Sequence, residues 1–405
     1  HANLGVVLMK AGRIDEGVRS FREAIAVESR AAAAEPEEWP YHDVLGGTYS
    51  YLGESLSLGG RYDEAVKAYE RAIAIETPIT VAQPLVPEYQ DRLAYTYGTM
   101  GLLFERMNRR PQAIEAHAKA ADVYRALARQ YPDVPDFQQS LASGLTNVGA
   151  LLTAEGRPAE ALALQQEAVA LTAKLSAARP DILDLKITLA ECQNNVGEAF
   201  RALGRVDDAL AAIRAAERAI EKEVNHPDEG PRMRHVLGDA YESEGSALAQ
   251  AGRPDEALAA FRKAVEIQRR AVAASPEVVS FRRSLGAHCA SAATLLRNLG
   301  RVDEALELIR ERAALWPRDA EELWREARET ALCVPTVGDA ARADALAGRA
   351  VQVLRAAVSA GWSDPTRTES EPAFNPLRGR ADFREVVAGL WKKLDDAMPV
   401  DAFQR

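Results

Sequence analysis

Apolar and small residues recur along this chain at a fixed interval of 48 residues. A leucine followed by glycine or alanine stands at Leu45, Leu93, Leu141, Leu189, Leu237 and Leu285, and a large apolar residue stands at Leu8, Leu56, Phe104, Leu152, Phe200, Leu248 and Leu296. A period of roughly 20 to 50 residues is typical of a solenoid, in which one supersecondary unit is repeated and stacked. The pattern therefore predicts one repeated unit instead of two or three unrelated globular domains.

The spacing within one interval predicts two helices. Leu189, Gly197 and Phe200 are separated by 8 and 3 residues, which places them on one stripe of an α-helix. We expect this first helix to run from just after Pro180 to about Leu203. A second stripe, formed by Ala209, Ile213, Ala216 and Ile220, predicts the second helix. Each unit is thus an antiparallel helical hairpin, with helices of about 20 residues and about 30 Å in length.

A Gly-Arg pair marks the turn between the two helices. It occurs at Gly12, Gly60, Gly156, Gly204, Gly252 and Gly300, and Asn108-Arg109 takes its place in the third unit. Glycine supplies the left-handed conformation that commonly ends a helix, and Pro158 and Pro254 stand where the second helix begins, a position that tolerates the missing N–H. Gly348-Arg349 keeps the interval, but we place it inside a helix that starts near Ala345-Leu346.

Small residues also stand where the two helices of a hairpin approach each other. The first helix carries Gly5, Gly53, Gly101, Gly149, Gly197 and Gly245, and the second helix carries a small residue five positions after each turn, such as Ala209. A larger side chain would overpack this contact at a cost of about 1 to 3 kcal/mol. We therefore expect Gly197→Leu and Ala209→Leu to lower the melting temperature.

With these residues in place, the chain resembles the tetratricopeptide repeat (TPR) family. The matching residues in one unit are Leu52, Gly53, Gly60, Ala65, Tyr69 and Ala72. The resemblance covers about residues 1–323 and implies an all-α, right-handed superhelical solenoid of antiparallel helical hairpins. The usual repeat is shorter, so both helices are longer here. The predicted divisions are a partial hairpin at 1–35, six repeats at 36–83, 84–131, 132–179, 180–227, 228–275 and 276–323, and an atypical helical cap at 324–405.

The C-terminal segment resembles the C-terminal regions of large bacterial Ser/Thr protein kinases, through Leu315-Trp316-Pro317, Glu322-Leu323-Trp324 and the stretch from Glu371 to Arg378. In such proteins the kinase domain lies upstream. This chain has no Gly-rich phosphate loop, His-Arg-Asp catalytic loop or Asp-Phe-Gly sequence. Its first helix is already under way at Asn3, which suggests a preceding segment.

Four of the five tryptophans lie near the C-terminus, at Trp316, Trp324, Trp362 and Trp391. They could form an aromatic ligand cage, but the core of a capping unit that covers the last hairpin is the favoured interpretation. We expect residues 361–380 to form an ordered loop. A helix from Asp382 to about Asp396 then seals the cap with Phe383, Val386, Val387 and Leu390.

The composition narrows the functional classes. The 50 basic and 60 acidic side chains of the 405 residues give a formal net charge of −10, which disfavours nucleic acid as a partner. No apolar run is long enough for membrane insertion. The first residues, from His1 to Gly5, do not show the basic and apolar pattern of a signal peptide. The three cysteines are too scattered for a disulfide framework or metal site, and Cys192 and Cys289 are predicted to be buried. We expect a cytoplasmic protein that has no catalytic residues, cofactor or metal.

The TPR resemblance implies that a partner contacts first-helix positions lying off the packing stripe. The candidates are Ser50, Glu54, Tyr95, Thr146, Glu191, Asn194, Glu198, Arg201, Asp239 and Glu242. Glu191, Glu198, Asp239 and Glu242 are predicted to form an acidic patch. This acidic patch has two possible interpretations. It is either a solvated charged face or a docking site for a basic or extended segment, which Asn194 would anchor.

The sequence therefore predicts a non-catalytic scaffold that binds a protein or peptide segment in a concave groove lined by the first helices. The main alternative is the regulatory or substrate-recruiting region of a bacterial Ser/Thr protein kinase or other signalling enzyme. A module that self-associates is a third possibility. The partner and the oligomeric state remain open at this point.

Overall fold

The structure is a computed structural model that describes residues 1–227 and 229–397, and the described residues form helices and no strand. The α-helices are α1 (Ala2–Lys10), α2 (Ile14–Ala34), α3 (Trp39–Leu58), α4 (Tyr62–Ala82), α5 (Pro87–Arg106), α6 (Arg110–Gln130), α7 (Pro135–Ala154), α8 (Pro158–Ala178), α9 (Leu183–Ala202), α10 (Val206–Ile220), α11 (Gly230–Gln250), α12 (Pro254–Ala274), α13 (Val279–Asn298), α14 (Val302–Ala314), α15 (Ala320–Cys333), α16 (Ala340–Ser359), α17 (Pro365–Ser370) and α18 (Ala381–Ala397). The protein is an all-α solenoid of repeated helical hairpins, as predicted.

The chain divides into two compact units, His1–Ala219 and Ile220–Arg405. The division falls within the predicted repeat 180–227, and the predicted boundary at 323/324 falls inside α15. Within each unit, most consecutive helices pack against each other. First helices of successive hairpins also touch, α3 with α5 and α7 with α9 in the first unit and α11 with α13 in the second. We call the surface along these helices the first-helix face of each unit.

The turns confirm the predicted role of glycine. The six turn glycines have φ angles between 72° and 74°. Asn108, which replaces glycine in the third helical hairpin, has a φ of 54°. The tight turn at Gly204 lets the Arg205 N–H donate to the Phe200 carbonyl at 2.9 Å. Pro158 and Pro254 are the first residues of α8 and α12, as predicted.

These angles predict opposite effects of two substitutions. Gly204→Ala should lower the free energy of unfolding by about 1 to 2 kcal/mol, because an L-residue is strained in the left-handed region. A Cβ atom there would meet no atom within 4 Å, so the loss reports backbone strain alone. Asn108→Gly should raise the free energy of unfolding. Urea unfolding at constant pH measures both, and a Gly204→Ala protein as stable as the wild type would contradict this account.

The first-helix glycines face large side chains of the partner helix. Each lies 16 residues before its neighbour, in the pairs Gly5–Phe21, Gly53–Tyr69, Gly101–His117, Gly149–Gln165, Gly197–Ile213 and Gly245–Phe261. A Cβ atom on any of these glycines would lie 2.4 to 2.9 Å from that side chain. Since interiors are close-packed, only glycine lets these helices approach so closely. The predicted packing role of these positions is confirmed.

Some helices are shorter than the predicted length of about 20 residues. Helix α14 has 13 residues and α10 has 15. Pro317 disfavours helical geometry at Trp316, and α15 then starts at a new cap, where Asp319 Oδ1 accepts the Glu322 N–H at 3.0 Å. Pro317 and the new helix start at Asp319 therefore shorten the second helix of the last hairpin, α14.

The C-terminal cap has its own core, as expected. Trp324 and Trp362 stack with ring centroids 5.0 Å apart, and Phe374 meets Trp324 edge-on at 5.8 Å. Trp316 instead lies against Gly286, and Trp391 is 37% exposed. The four tryptophans therefore do not line one cage. Helix α18 buries Phe383, Val386, Val387 and Leu390 as predicted.

Two predictions for the cap were wrong in detail. Residues 361–380 are not a plain loop, because they contain α17 and a 3-10 helix, Pro372–Leu377. The Trp362 indole donates to Thr368 Oγ1 at 2.8 Å and holds α17 on the cap core. Helix α16 encloses Gly348 as predicted but begins at Ala340, since Asp339 caps it by accepting the Arg342 N–H at 2.7 Å.

Candidate functional site

Several polar side chains on the first-helix face of each unit contact the next first helix. In the first unit, the Thr96 hydroxyl lies 3.1 Å from Ser50 Oγ, and Arg106 donates to Ser57 Oγ at 3.1 Å. In the second unit, His288 Nε2 lies 3.2 Å from Asp239 Oδ1. The partners are 46 or 49 residues apart, about one repeat. Some of the polar side chains on this face therefore make contacts between neighbouring hairpins.

Ser50 and Thr146 lie within these internal contacts. Ser50 is 2% exposed, so its hydroxyl does not reach the surface. Thr146 is half-buried, donates to the Ala142 carbonyl at 2.7 Å and lies 3.2 Å from Cys192 Sγ. Small hydroxyl side chains fit between closely packed first helices, which explains both positions. Burial removes Ser50 from the surface, whereas a role for half-buried Thr146 in binding a partner stays a prediction.

Glu54 and Tyr95 are brought together by the structure. The Tyr95 hydroxyl donates to Glu54 Oε2 at 3.0 Å, from α5 to α3. The Tyr95 side chain remains 40% exposed. This hydrogen bond fixes an aromatic ring at the surface of the first-helix face, where a partner could contact it.

The acidic candidates have partners within their own units. Glu198 pairs with Arg201 at 2.6 Å in the first unit, and Glu242 accepts from Ser291 at 2.9 Å in the second. Asp239 pairs with His288, as described above. Glu191 is half-buried on α9, and Asn194 Oδ1, also on α9, is buried with no hydrogen-bond partner among residues 1–227 and 229–397. A role for these residues in binding a basic segment stays a prediction.

The cysteines are buried, as predicted. Cys192, Cys289 and Cys333 are each at most 1% exposed. Burial raises the pKa of Cys289 to about 12 and that of Cys333 to about 11, so these thiols stay protonated near neutral pH. In the described part of the chain, no three His, Cys, Asp or Glu side chains are grouped so that they could hold a metal ion. No described helix has the length and apolarity needed to cross a membrane.

A cavity of about 460 Å³ opens between α5, α6 and α7 in the first unit. Its lining includes Tyr95, Gly98 and Leu102 of α5, Tyr124 of α6, and Asp136, Gln139, Ser143 and Asn147 of α7. Leu102 is 47% exposed. Volumes of about 300 to 1,000 Å³ are typical of ligand-binding clefts. We call this cavity the Gly98 pocket.

Gly98 differs from the packing glycines described above. A Cβ atom at this position would meet nothing within 4 Å, whereas at Gly101, three residues later, it would lie 2.6 Å from His117. Glycine inside a helix costs about 0.5 to 1 kcal/mol relative to alanine. Internal packing therefore does not account for glycine here, and its absent side chain leaves the α5 backbone open to an approaching molecule.

The unpaired charge of the Gly98 pocket is negative. Asp136 is exposed and has no partner in the described part of the chain. His117 also lines the pocket, but its Nε2 atom lies 2.8 Å from Glu105 Oε1. Burial raises the pKa of nearby Asp91, and the charges of Asp136 and Glu88 add to this effect. The pocket is thus suited to neutral or cationic groups.

The sequence matches the tetratricopeptide repeat family over residues 45–75, 141–177 and 239–277, and a second profile of the same repeat matches residues 286–311. The chain is a TPR protein. Its matched segments include the turn glycines and the small residues that pack the hairpins. A comparison with curated proteins found no match.

The chain is also similar to several solved structures. The apo form of RapI has a TM-score of 0.54 at 13% identity, covering 98% of both chains. A Rap protein complexed with Competence and Sporulation Factor has a TM-score of 0.48 at 14% identity, covering 98% of this chain and 99% of its own. BtubC (BKLC) from P. vanneervenii has a TM-score of 0.47 at 18% identity, covering 64% of this chain and 91% of its own. At these identities the RapI likeness shows the fold alone.

Sequence reasoning about this TPR protein missed the Gly98 pocket as a site. The pocket is formed by three helices. Ser143 of α7 stands one repeat of 48 residues after Tyr95, but Tyr124 belongs to the second helix of its hairpin, where no candidate position was predicted. One signal was present. At the corresponding position the other repeats carry Ser50, Thr146, Asn194, Glu242 and Ala290, so Gly98 is the residue without a side chain in a mostly polar series.

Proposed function

We propose that this TPR protein is a non-catalytic interaction scaffold that binds a protein or peptide segment on the first-helix face of the first unit, at the Gly98 pocket. The observation that carries the proposal is an open cavity of about 460 Å³ flanked by two exposed side chains, Tyr95 and Leu102. Aromatic residues are enriched in protein interfaces. Tyr95 is also held in place by Glu54, which lowers the entropy lost on binding.

The lining favours an extended, basic segment. Gln139, Ser143 and Asn147 offer uncharged donors and acceptors to a peptide backbone, and Gly98 allows that backbone to approach α5 closely. Asp136 offers a carboxylate to a Lys or Arg side chain. The acidic residues of α9 and α11 led us to expect a basic partner at those two helices. The present proposal places the basic segment at the Gly98 pocket instead. A regulatory role for an upstream kinase domain stays a prediction.

Two substitutions in the first unit test the proposal. Leu102→Lys removes an apolar contact from the Gly98 pocket and places there a positive charge that repels a basic segment, and Val81→Lys makes the same change on α4 at a side chain that is 76% exposed. Both should fold normally, because exposed side chains contribute little to stability. Affinity capture from the native lysate with quantitative mass spectrometry should show proteins retained by the wild type and by Val81→Lys, and reduced by about tenfold or more with Leu102→Lys.

A captured partner then allows a direct measurement. Gly98→Leu fills the pocket without a steric clash, and calorimetric titration should show a dissociation constant raised by about tenfold or more. Equal retention of all proteins by Leu102→Lys and Val81→Lys, or unchanged affinity of Gly98→Leu, would place binding on another surface.

A further inference from the structure

The second unit carries an exposed cavity that the proposed function does not use. It lies between the α17 region and α18, has a volume of about 410 Å³ and is lined by Glu369, Arg378, Phe383, Arg384, Val387, Ala388 and Trp391. Phe383 and Val387 form a buried apolar floor. Trp391 forms one wall, and we call this site the Trp391 cavity.

Trp391 is fixed in orientation although it is not part of the cap core. Its indole Nε1 donates to Glu369 Oε2 at 3.0 Å, while the ring is 37% exposed. The cap core instead uses Trp324 and Trp362, which are 2% and 8% exposed. A large aromatic surface therefore stays accessible in a defined position, and the carboxylate of the cavity lining is engaged by the indole.

Two arginines of the Trp391 cavity have no carboxylate partner within the described residues. Arg378 donates to the Glu369 carbonyl at 2.9 Å, and Arg384 donates to the Arg380 carbonyl at 3.4 Å and the Gly379 carbonyl at 3.5 Å. Both side chains are exposed. A backbone carbonyl leaves most guanidinium donors available and does not neutralise the charge.

Neighbouring arginines of the cap behave differently. Arg367 pairs with Glu321 at 2.9 Å, Arg355 pairs with Glu385 at 2.5 Å, and Arg380 pairs with Asp382 at 3.0 Å. The two unpaired guanidiniums therefore set the Trp391 cavity apart in a chain whose net charge is −10. The indole leaves the charge of Glu369 in place, so the two arginines and one glutamate of the lining give a formal charge of +1 beside an apolar cavity (2 − 1).

We propose that the Trp391 cavity binds an acidic peptide segment that carries one aromatic or large apolar side chain. That side chain enters the cavity against Trp391 and Phe383, and flanking carboxylates pair with Arg378 and Arg384. Guanidinium and carboxylate groups match in a two-pronged geometry, and Trp and Arg dominate the binding energy of many interfaces. This partner is opposite in charge to that of the Gly98 pocket, and the two sites belong to different units.

The test uses the full chain and a fluorescein-labelled peptide, Asp-Glu-Asp-Glu-Phe-Glu-Asp-Glu-Asp. Fluorescence anisotropy should show saturable binding, weakened by about tenfold or more in Arg384→Glu and in Trp391→Ala. Arg318→Glu is the matched control. It makes the same charge change at an exposed arginine of the second unit that does not line the cavity, and it should bind as the wild type does.

Three further measurements make the outcome decisive. Replacing the peptide phenylalanine by serine should weaken binding by about tenfold, since the apolar cavity is then unfilled. Arg378→Glu should weaken binding as Arg384→Glu does. Because Arg378 is exposed and lies outside α18, this variant tests the site without altering that helix. Equal binding by Arg384→Glu and Arg318→Glu would overturn the proposal. Phosphatidylserine vesicles and a single-stranded oligonucleotide are tested as competitors. If either displaces the labelled peptide as effectively as unlabelled peptide does, the cavity is a general anion site and the proposal is overturned. Neither result bears on the Gly98 pocket.

Discussion

Replacing Gly197 by leucine should lower the free energy of unfolding by about 3 kcal/mol, at the upper end of the usual range for overpacking. A Cβ atom on Gly197 would lie 2.4 Å from Ile213 Cγ1 and 3.2 Å from the Ala209 carbonyl oxygen. Ile213 and Ala209 are fully buried and have no space to retreat. In urea unfolding, the midpoint should fall while the slope stays unchanged.

Gly98→Leu is the matched control for this prediction. Gly98 also lies inside a first helix, but a Cβ atom there would meet nothing within 4 Å. Its leucine variant should therefore be at least as stable as the wild type, because leucine favours the helix more than glycine does. Ala209→Leu, on the opposite side of the contact, should be destabilised like Gly197→Leu. Equal losses for Gly197→Leu and Gly98→Leu would show that close contact is not the cause.

Removing the charge of Glu76 should make the protein more stable at alkaline pH. Glu76, on α4, is 1% exposed. Its Oε1 atom lies 3.2 Å from Thr96 Oγ1, and Oε2 has no hydrogen-bond partner among the described residues. Burial is the largest effect and raises the pKa of Glu76 from 4.5 to about 7, while Arg92 lowers it and Asp43 raises it.

The sign of the pH dependence follows from this pKa. Between the unfolded and folded pKa values, the folded state holds a proton that the unfolded state has lost, so stability falls as the pH rises from 4.5 to about 7. A pKa difference of about 2.5 corresponds to about 3 kcal/mol, an order-of-magnitude figure. Glu76→Gln should therefore equal the wild type near pH 4.5 and exceed its unfolding free energy by about 3 kcal/mol at pH 8.

The chain itself shows that glutamine fits this environment. Gln268 stands four repeats after Glu76, at the same position of its hairpin. Gln268 Oε1 lies 2.8 Å from where a Cβ on Gly238 would be, and Glu76 Cγ lies 2.8 Å from where a Cβ on Gly46 would be. Urea unfolding from pH 4.5 to pH 8 measures the effect. Glu70→Gln, at an exposed position of the same helix, should change the unfolding free energy by less than about 0.5 kcal/mol throughout. Parallel pH profiles for the wild type and Glu76→Gln would contradict the prediction.

The repeat and its hairpin were determined by the sequence alone, because each depends on local geometry. A left-handed turn requires glycine or asparagine, so Gly204 and Asn108 mark their turns directly. A close helix contact requires a small residue opposite a large one, so a pair like Gly197 and Ile213 recurs in six repeats, and Ala293 takes the place of the glycine in the seventh. These constraints act within 16 residues and repeat with the period.

Only the tertiary structure decided which polar residues remain for a partner. Ser50 shares the first-helix face of the first unit with Tyr95, but its hydroxyl contacts Thr96 of the next first helix, about one repeat away. On the first-helix face of the second unit, Asp239 likewise lies 3.2 Å from His288 of the next first helix. The Gly98 pocket and the Trp391 cavity each need several helices to form their walls. Periodicity specifies where a side chain points along its own helix, whereas burial and pairing depend on which neighbours meet it in three dimensions.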